Sequence, residues 1–154
     1  MKISTKTGLL FLLSFVVSVT GWTQEFDEEV IKAEIQKAAL TEQAAFKKGD
    51  CDQVLAMMSD DITFLANGRR VPSKQVVGKF CNSIPRPFKK ATTNQLDIYA
   101  LSASSGYVIR TLEYPKDETT MMLEYVTKIW KKTDSGWKIT HLHSTIKENP
   151  NSKN

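Results

Sequence analysis

Residues 127–145, TKIWKKTDSGWKITHLHST, constrain the fold more than any other stretch of this chain. Asp134, Ser135 and Gly136 supply a tight turn with a residue free to take positive φ. On its two arms Ile129, Trp130, Trp137 and Ile139 are β-favouring side chains. The stretch therefore reads as a hairpin near the end of the chain, which calls for an antiparallel sheet. Strict alternation along the second arm puts Trp137, Ile139, His141 and His143 on one face, and Lys138, Thr140, Leu142 and Ser144 on the other. Both histidines then look the same way and are candidates for a shared site.

Upstream, Glu25, Asp27, Glu28 and Glu29 open a helical pattern that closes with Lys47, Lys48 and Gly49, the charge order a helix dipole favours and a glycine stop. Asp50 stands three residues before Gln53 and starts a short second helix through Val54, Leu55, Met57 and Met58, ending near Ser59. Residues 62–66 read as a strand turned by Asn67-Gly68. Ser73, after Pro72, can cap a third helix through Val76, Val77 and Phe80 before Pro85 and Pro87 break the chain. Strands near 89–103, 107–114, 119–131 and 137–147 follow, with connections short enough for a four-stranded antiparallel meander.

Lys2 and Lys6 precede an apolar run over residues 9–19, too short to span a bilayer as a helix, and small residues follow at Thr20 and Gly21. This predicts a secretory signal peptide over residues 1–21, a mature domain over 22–147 and a disordered tail over 148–154. The expected location is periplasmic or extracellular, with no membrane segment once the signal is removed. Without Lys2 and Lys6, the 21 basic residues against 17 acidic fall to 19 against 17. Lysines at 47, 48, 89, 90, 131 and 132 sit at element ends rather than on one stripe, which argues against nucleic acid. About 130 residues suit one domain with one core.

Cys51 and Cys81 are the two cysteines. Export permits a disulfide, and closing the loop between them is worth about 3.5 kcal/mol in the chain-entropy model. Two unpaired core thiols remain the other reading.

The closing hairpin, with its T-K-I-W strand, glycine turn, W-K-I strand and H-x-H-S ending, resembles the end of the nuclear transport factor 2-like fold. It is similar in particular to SnoaL-like domains and to the association domain of calcium/calmodulin-dependent kinase. The F-x-x-G-D joint at residues 46–50 and the order helix, helix, strand, helix and four strands extend the resemblance over nearly all of the mature chain. It implies an α+β cone: three N-terminal helices packed on a strongly curved, mainly antiparallel sheet, with a pocket between sheet and helices. Relatives include isomerases, dehydratases and non-catalytic domains, so the fold does not decide the function.

What the pocket holds must come from residues. On a helical wheel Ile31, Ile35, Ala38, Ala45 and Phe46 form one stripe with Glu42 at its centre. A carboxylate facing the core needs a proton or a cationic partner. Arg110 lies in a mostly apolar strand, and Ile109, Arg110 and Tyr114 match the association domain's I-R strand and the tyrosine four positions after the arginine. In that domain the arginine lines a pocket for small carboxylates. The resemblance also places Lys128 where that domain has arginine, and His143 at the second histidine of its H-x-H. The alternative for Arg110 is an ion pair with Glu42 or Glu124 that serves the sheet interior. His141 and His143, the only histidines, fall short of a metal site, and no metal or cofactor is expected.

Similarity to ketosteroid isomerase, aligned through Gly49-Asp50, puts Ala66 at that enzyme's catalytic aspartate and Glu42 at its tyrosine. Proton transfer by that route would need Glu42 as base. The favoured reading is an exported, homodimeric SnoaL-like domain that binds a small, anionic organic ligand through Glu42, Arg110, Lys128, His141 and His143. One alternative is an isomerase or dehydratase using Glu42 and His143 as an acid-base pair. Another is a non-catalytic assembly module with an apolar exposed sheet face.

Overall fold

The computed structural model describes residues 26–150, so the signal read in residues 1–21 and residues 151–154 of the tail lie outside the described residues. Helix α1 (Glu28–Lys48) begins where the extended Asp27 accepts hydrogen bonds from the backbone N–H groups of Glu29 and Val30. It stops at Gly49, φ 85°, whose N–H returns to the carbonyls of Ala45 and Phe46. Helix α2 (Cys51–Ala56) is capped by Asp50 through the N–H of Gln53. It ends three residues before Ser59 because the chain turns at once into strand β1 (Met58–Ala66).

At Asn67 and Gly68, both at positive φ, the chain reverses into a short strand β2 (Arg69–Val71), which the sequence pattern does not show. Helix α3 (Lys74–Ser83) follows Ser73, whose side chain makes no cap bond. The remaining chain forms β3 (Thr93–Ser102), β4 (Ser105–Pro115), β5 (Thr120–Thr133) and β6 (Gly136–Pro150). The sheet order is β2-β1-β6-β5-β4-β3. The last four strands are the expected antiparallel meander, and β1 lies parallel to β6. Helices and curved sheet make the expected α+β architecture.

Strand β6 corrects two expectations. It runs three residues past 147, because Met122, Met121 and Thr120 pair with Glu148, Asn149 and Pro150, so the start of the expected tail is strand. In addition, Ile129 pairs with His141 whereas Trp130 pairs with Ile139, so Thr140 is one extra residue in β6. This bulge reverses the alternation. Ile139, Leu142 and Ser144 point into the core, while His141 and His143, still sharing a face, lie on the outer side of the sheet.

The core fills the space between the inner sheet face and α1. Val108, Val126, Trp130, Ile139 and Leu142 meet Ile31, Ile35 and Ala39, with Val54, Met58 and Val77 closing one side. Burying a side chain such as Ile35 or Ile139, each fully enclosed, contributes about 1.5–3 kcal/mol. Gly106 lets β4 approach α1: a Cβ there would stand 2.4 Å from the Tyr99 carbonyl oxygen and 2.5 Å from Ile35 Cδ1.

A disulfide joins Cys51 to Cys81 across 30 positions, with Cα atoms 5.9 Å apart, tying the start of α2 to α3. Beside it Arg86 donates to the carbonyls of Phe46, Cys81 and Ile84 and lies over the rings of Phe46 and Phe88. These contacts hold the ends of α1 and α3 together. No helix among the described residues is long and apolar enough to cross a membrane.

Candidate functional site

On the inner sheet face, polar side chains interrupt an otherwise apolar lattice. Pairing sets their positions: Val108 faces Lys128, Arg110 faces Leu96 and Val126, and Glu124 faces Leu112 and Ile146. Glu42 comes up from α1 beneath them.

Glu42 is buried, as its place in the apolar stripe requires, and its carboxylate meets Lys128 Nζ at 2.5 Å. The side chains are only 5% and 13% exposed, so the pair is a largely desolvated ion pair rather than a surface contact. The partner is therefore Lys128, not Arg110 as the sequence alternative had it.

Arg110 sits one position further along β4 on the same face. Its Nε donates to Asn94 Oδ1 at 2.8 Å, and among the described residues its two Nη groups have no hydrogen-bond partner. Burial pulls its pKa down, while the fields of Glu124 and Glu42 push it up. The guanidinium keeps its charge in any case. Glu124 accepts a hydrogen bond from Ser144 Oγ at 2.8 Å through Oε1. Tyr114, two residues beyond Leu112 on this face, has its phenol pushed above the ordinary range, first by burial and then by Glu124.

The chain thus brings Glu42, Lys128 and Arg110 to one surface and adds Asn94, Glu124 and Ser144, of which sequence reasoning had weighed only Glu124. Ser144 had a visible signal in the H-x-H-S ending, but its direction depended on the bulge. His141 and His143 are not part of this cluster. His141 Nδ1 lies 2.7 Å from Thr63 Oγ1 on the outer face, and His143 is exposed there. The acid-base pair Glu42/His143 is therefore not assembled, since its members stand on opposite sides of the sheet. Among the described residues, no three His, Cys, Asp or Glu side chains group as metal ligands.

Two open grooves of about 480 and 310 Å³ run along α1. The first is lined by Ala33, Leu40 and Ala44 among others, the second by Glu34, Lys132 and Trp137; neither is lined by Glu42, Arg110 or Lys128.

The outer sheet face carries no Lys, Arg, Asp or Glu at its centre, where apolar and aromatic side chains lie among Thr63, Thr127, His141 and His143. Leu65, Tyr99, Tyr125 and Ile129 are more than a third exposed, and Tyr99 stacks on Tyr107. Arg70 on β2 and Asp97 on β3 flank this centre with opposite charges.

Comparison with known proteins agrees with this architecture. A family model described as a SnoaL-like domain matches residues 35–147. Similar solved structures include an NTF2-like protein of unknown function from Pseudomonas putida, 15% identical, covering 76% of this chain and 87% of its own, TM-score 0.63. A ketosteroid isomerase-like protein from Erwinia carotovora atroseptica is 20% identical, with 79% and 98% covered and a TM-score of 0.60. The CamKII hub homology domain of Chlamydomonas reinhardtii is 18% identical, with 75% and 97% covered and a TM-score of 0.57. At these identities the likeness shows the fold. No curated protein matches the chain.

Proposed function

Since the chain belongs to the SnoaL-like domain family, we propose that it is an exported domain that binds a small organic anion on the inner face of its sheet, with Arg110 as the principal ligand. The observation that carries this reading is the half-used guanidinium: Asn94 takes Nε and orients the fork, leaving both Nη groups for an incoming acceptor. Arginine's planar fork suits a carboxylate in two-point contact. Lys128 does not compete for the anion, because Glu42 already neutralises it. The disulfide fits a compartment that tolerates oxidised cysteines, and the apolar run of residues 9–19 fits a leader that delivers the chain there.

The test is calorimetric titration of the folded protein with pentanoate. Binding by the wild type and its loss in Arg110→Met, with an unchanged circular dichroism spectrum, supports the reading. Undiminished binding in Arg110→Met removes it, and an unfolded variant would make Arg110 structural.

A second reading concerns assembly. The exposed outer face holds no Lys, Arg, Asp or Glu at its centre, where Thr63 and Leu65 lie beside His141, His143, Tyr125, Thr127 and Ile129. A second copy of this chain is the occupant that suits it: the face offers apolar area for isologous contact and opposite charges, Arg70 and Asp97, at its two edges. Sedimentation of the wild type as a dimer and of Ile129→Lys as a monomer would support a homodimer. A monomeric wild type would refute it.

A further inference from the structure

Arg110 and Glu124 occupy a diagonal on neighbouring strands. Arg110 pairs with Val126, and Glu124 is two residues along the same face of β5. Diagonal positions are about 7–8 Å apart at Cα, within reach of two long side chains. Yet no ion pair forms between them. Each is held by a neutral partner instead, the guanidinium by Asn94 and the carboxylate by Ser144. Glu42 and Lys128, the other two charges of this surface, neutralise each other. What remains is one positive and one negative group, side by side, unclosed, and each with hydrogen-bonding capacity to spare.

We infer that the ligand of this site is zwitterionic: a small α-amino acid-like molecule whose carboxylate is taken by Arg110 and whose ammonium is taken by Glu124. This rests on the anion-binding reading of Arg110 and narrows it. A simple carboxylate docked on Arg110 would leave Glu124 uncompensated and close enough to repel it. A molecule carrying both charges satisfies both groups, and charge-assisted hydrogen bonds are the strong ones. The surroundings limit its side chain. Leu112 and Ile146 flank Glu124 on the adjacent strands, and Ile146 is 37% exposed, which leaves apolar surface for a short aliphatic group. Specificity on this account is a difference of affinities, created as much by the repulsion of Glu124 against lone anions as by its attraction for ammonium.

Three probes of matched chain length separate the possibilities: norvaline, pentanoate and pentylammonium, each titrated calorimetrically into wild type, Glu124→Gln and Arg110→Met. Norvaline should bind the wild type at least about tenfold more tightly than pentanoate, and more tightly than pentylammonium. Glu124→Gln keeps an acceptor for Ser144 but not the charge. It should erase the advantage of norvaline while leaving pentanoate binding equal or stronger. Pentanoate binding the wild type as well as norvaline overturns the zwitterion assignment, yet leaves the anion reading standing if Arg110→Met abolishes both. If neither carboxylate binds, or if Arg110→Met binds both unchanged, both readings fall. Should Glu124→Gln fail to fold, the wild-type ratio of norvaline to pentanoate decides alone.

Discussion

Substituting Glu42 or Lys128 singly should damage the domain far more than substituting both. The carboxylate is 5% exposed, the ammonium 13%, and the two touch at 2.5 Å. Glu42→Leu leaves Lys128 enclosed without a counter-charge, and Lys128→Met does the same to Glu42. Removing one partner of a buried pair costs about 3–5 kcal/mol, a large share of the 5–15 kcal/mol that holds a typical domain together. At about 4 °C per kcal/mol for a chain of this size, each single variant should melt about 12–20 °C lower. The double variant Glu42→Leu/Lys128→Met replaces the pair with apolar side chains of similar volume and should come within about 1 kcal/mol of the wild type, or exceed it. Urea denaturation of the four proteins closes the cycle, and equal m-values would confirm that the same surface is exposed in each. Single variants within about 1 kcal/mol of the wild type, adding without coupling in the double, would refute the claim that the pair is desolvated.

Three further outcomes follow from the fold. Replacing Cys51 and Cys81 by alanine should lower stability by about 3–4 kcal/mol in the chain-entropy model, and reduction of the wild type should lower its melting temperature comparably; an unchanged midpoint would show that the bond contributes nothing. Gly106→Ala should destabilise the domain by more than about 2 kcal/mol, since the new methyl group meets the Tyr99 carbonyl oxygen and Ile35; a neutral effect in chemical denaturation would mean β4 has room to withdraw. Hydrogen bonds from Lys132 and then Trp137 hold the Glu34 carboxyl below the usual carboxylate range, so its contribution is complete at neutral pH and is lost as acidification carries the pH down through that lowered value. Melting curves from pH 7 to 3 should therefore show a gap between wild type and Glu34→Gln that narrows on acidification, and a gap that widens would contradict the assignment.

Local chemistry made most of the element order legible. Asp27, Gly49 and Asp50 act as helix stops and starts because their caps depend on near neighbours alone. The meander was legible because each turn is short and carries its own turn residues. Strand β2 escaped because three residues, exposed Arg69 and Arg70 and half-buried Val71, are too few to carry a periodicity, although Asn67-Gly68 marked the turn. The direction of the histidines escaped for a sharper reason. Thr140 is as acceptable in a bulge as in a regular ladder, yet its insertion sends every following side chain to the opposite face. Glu42 could be placed in the core from spacing within one helix. Its partner could not, because Lys128 lies 86 residues away and reaches it only through the register of β5 against β4. Asn94 became a site residue by the same long-range pairing, which leaves no local trace, while the H-x-H-S ending marked Ser144 but not the bulge that turns it inward.

Amide chemical-shift mapping with pentanoate tests the central claim most directly. On titration, the account predicts shifts concentrated on β4 and β5 around Arg110, Leu112, Glu124 and Val126, with Leu96 and Asn94 on β3, and none at Thr63, Leu65, His141 or His143. Shifts centred on the outer face instead, or no saturable shifts in the folded wild type, would contradict it.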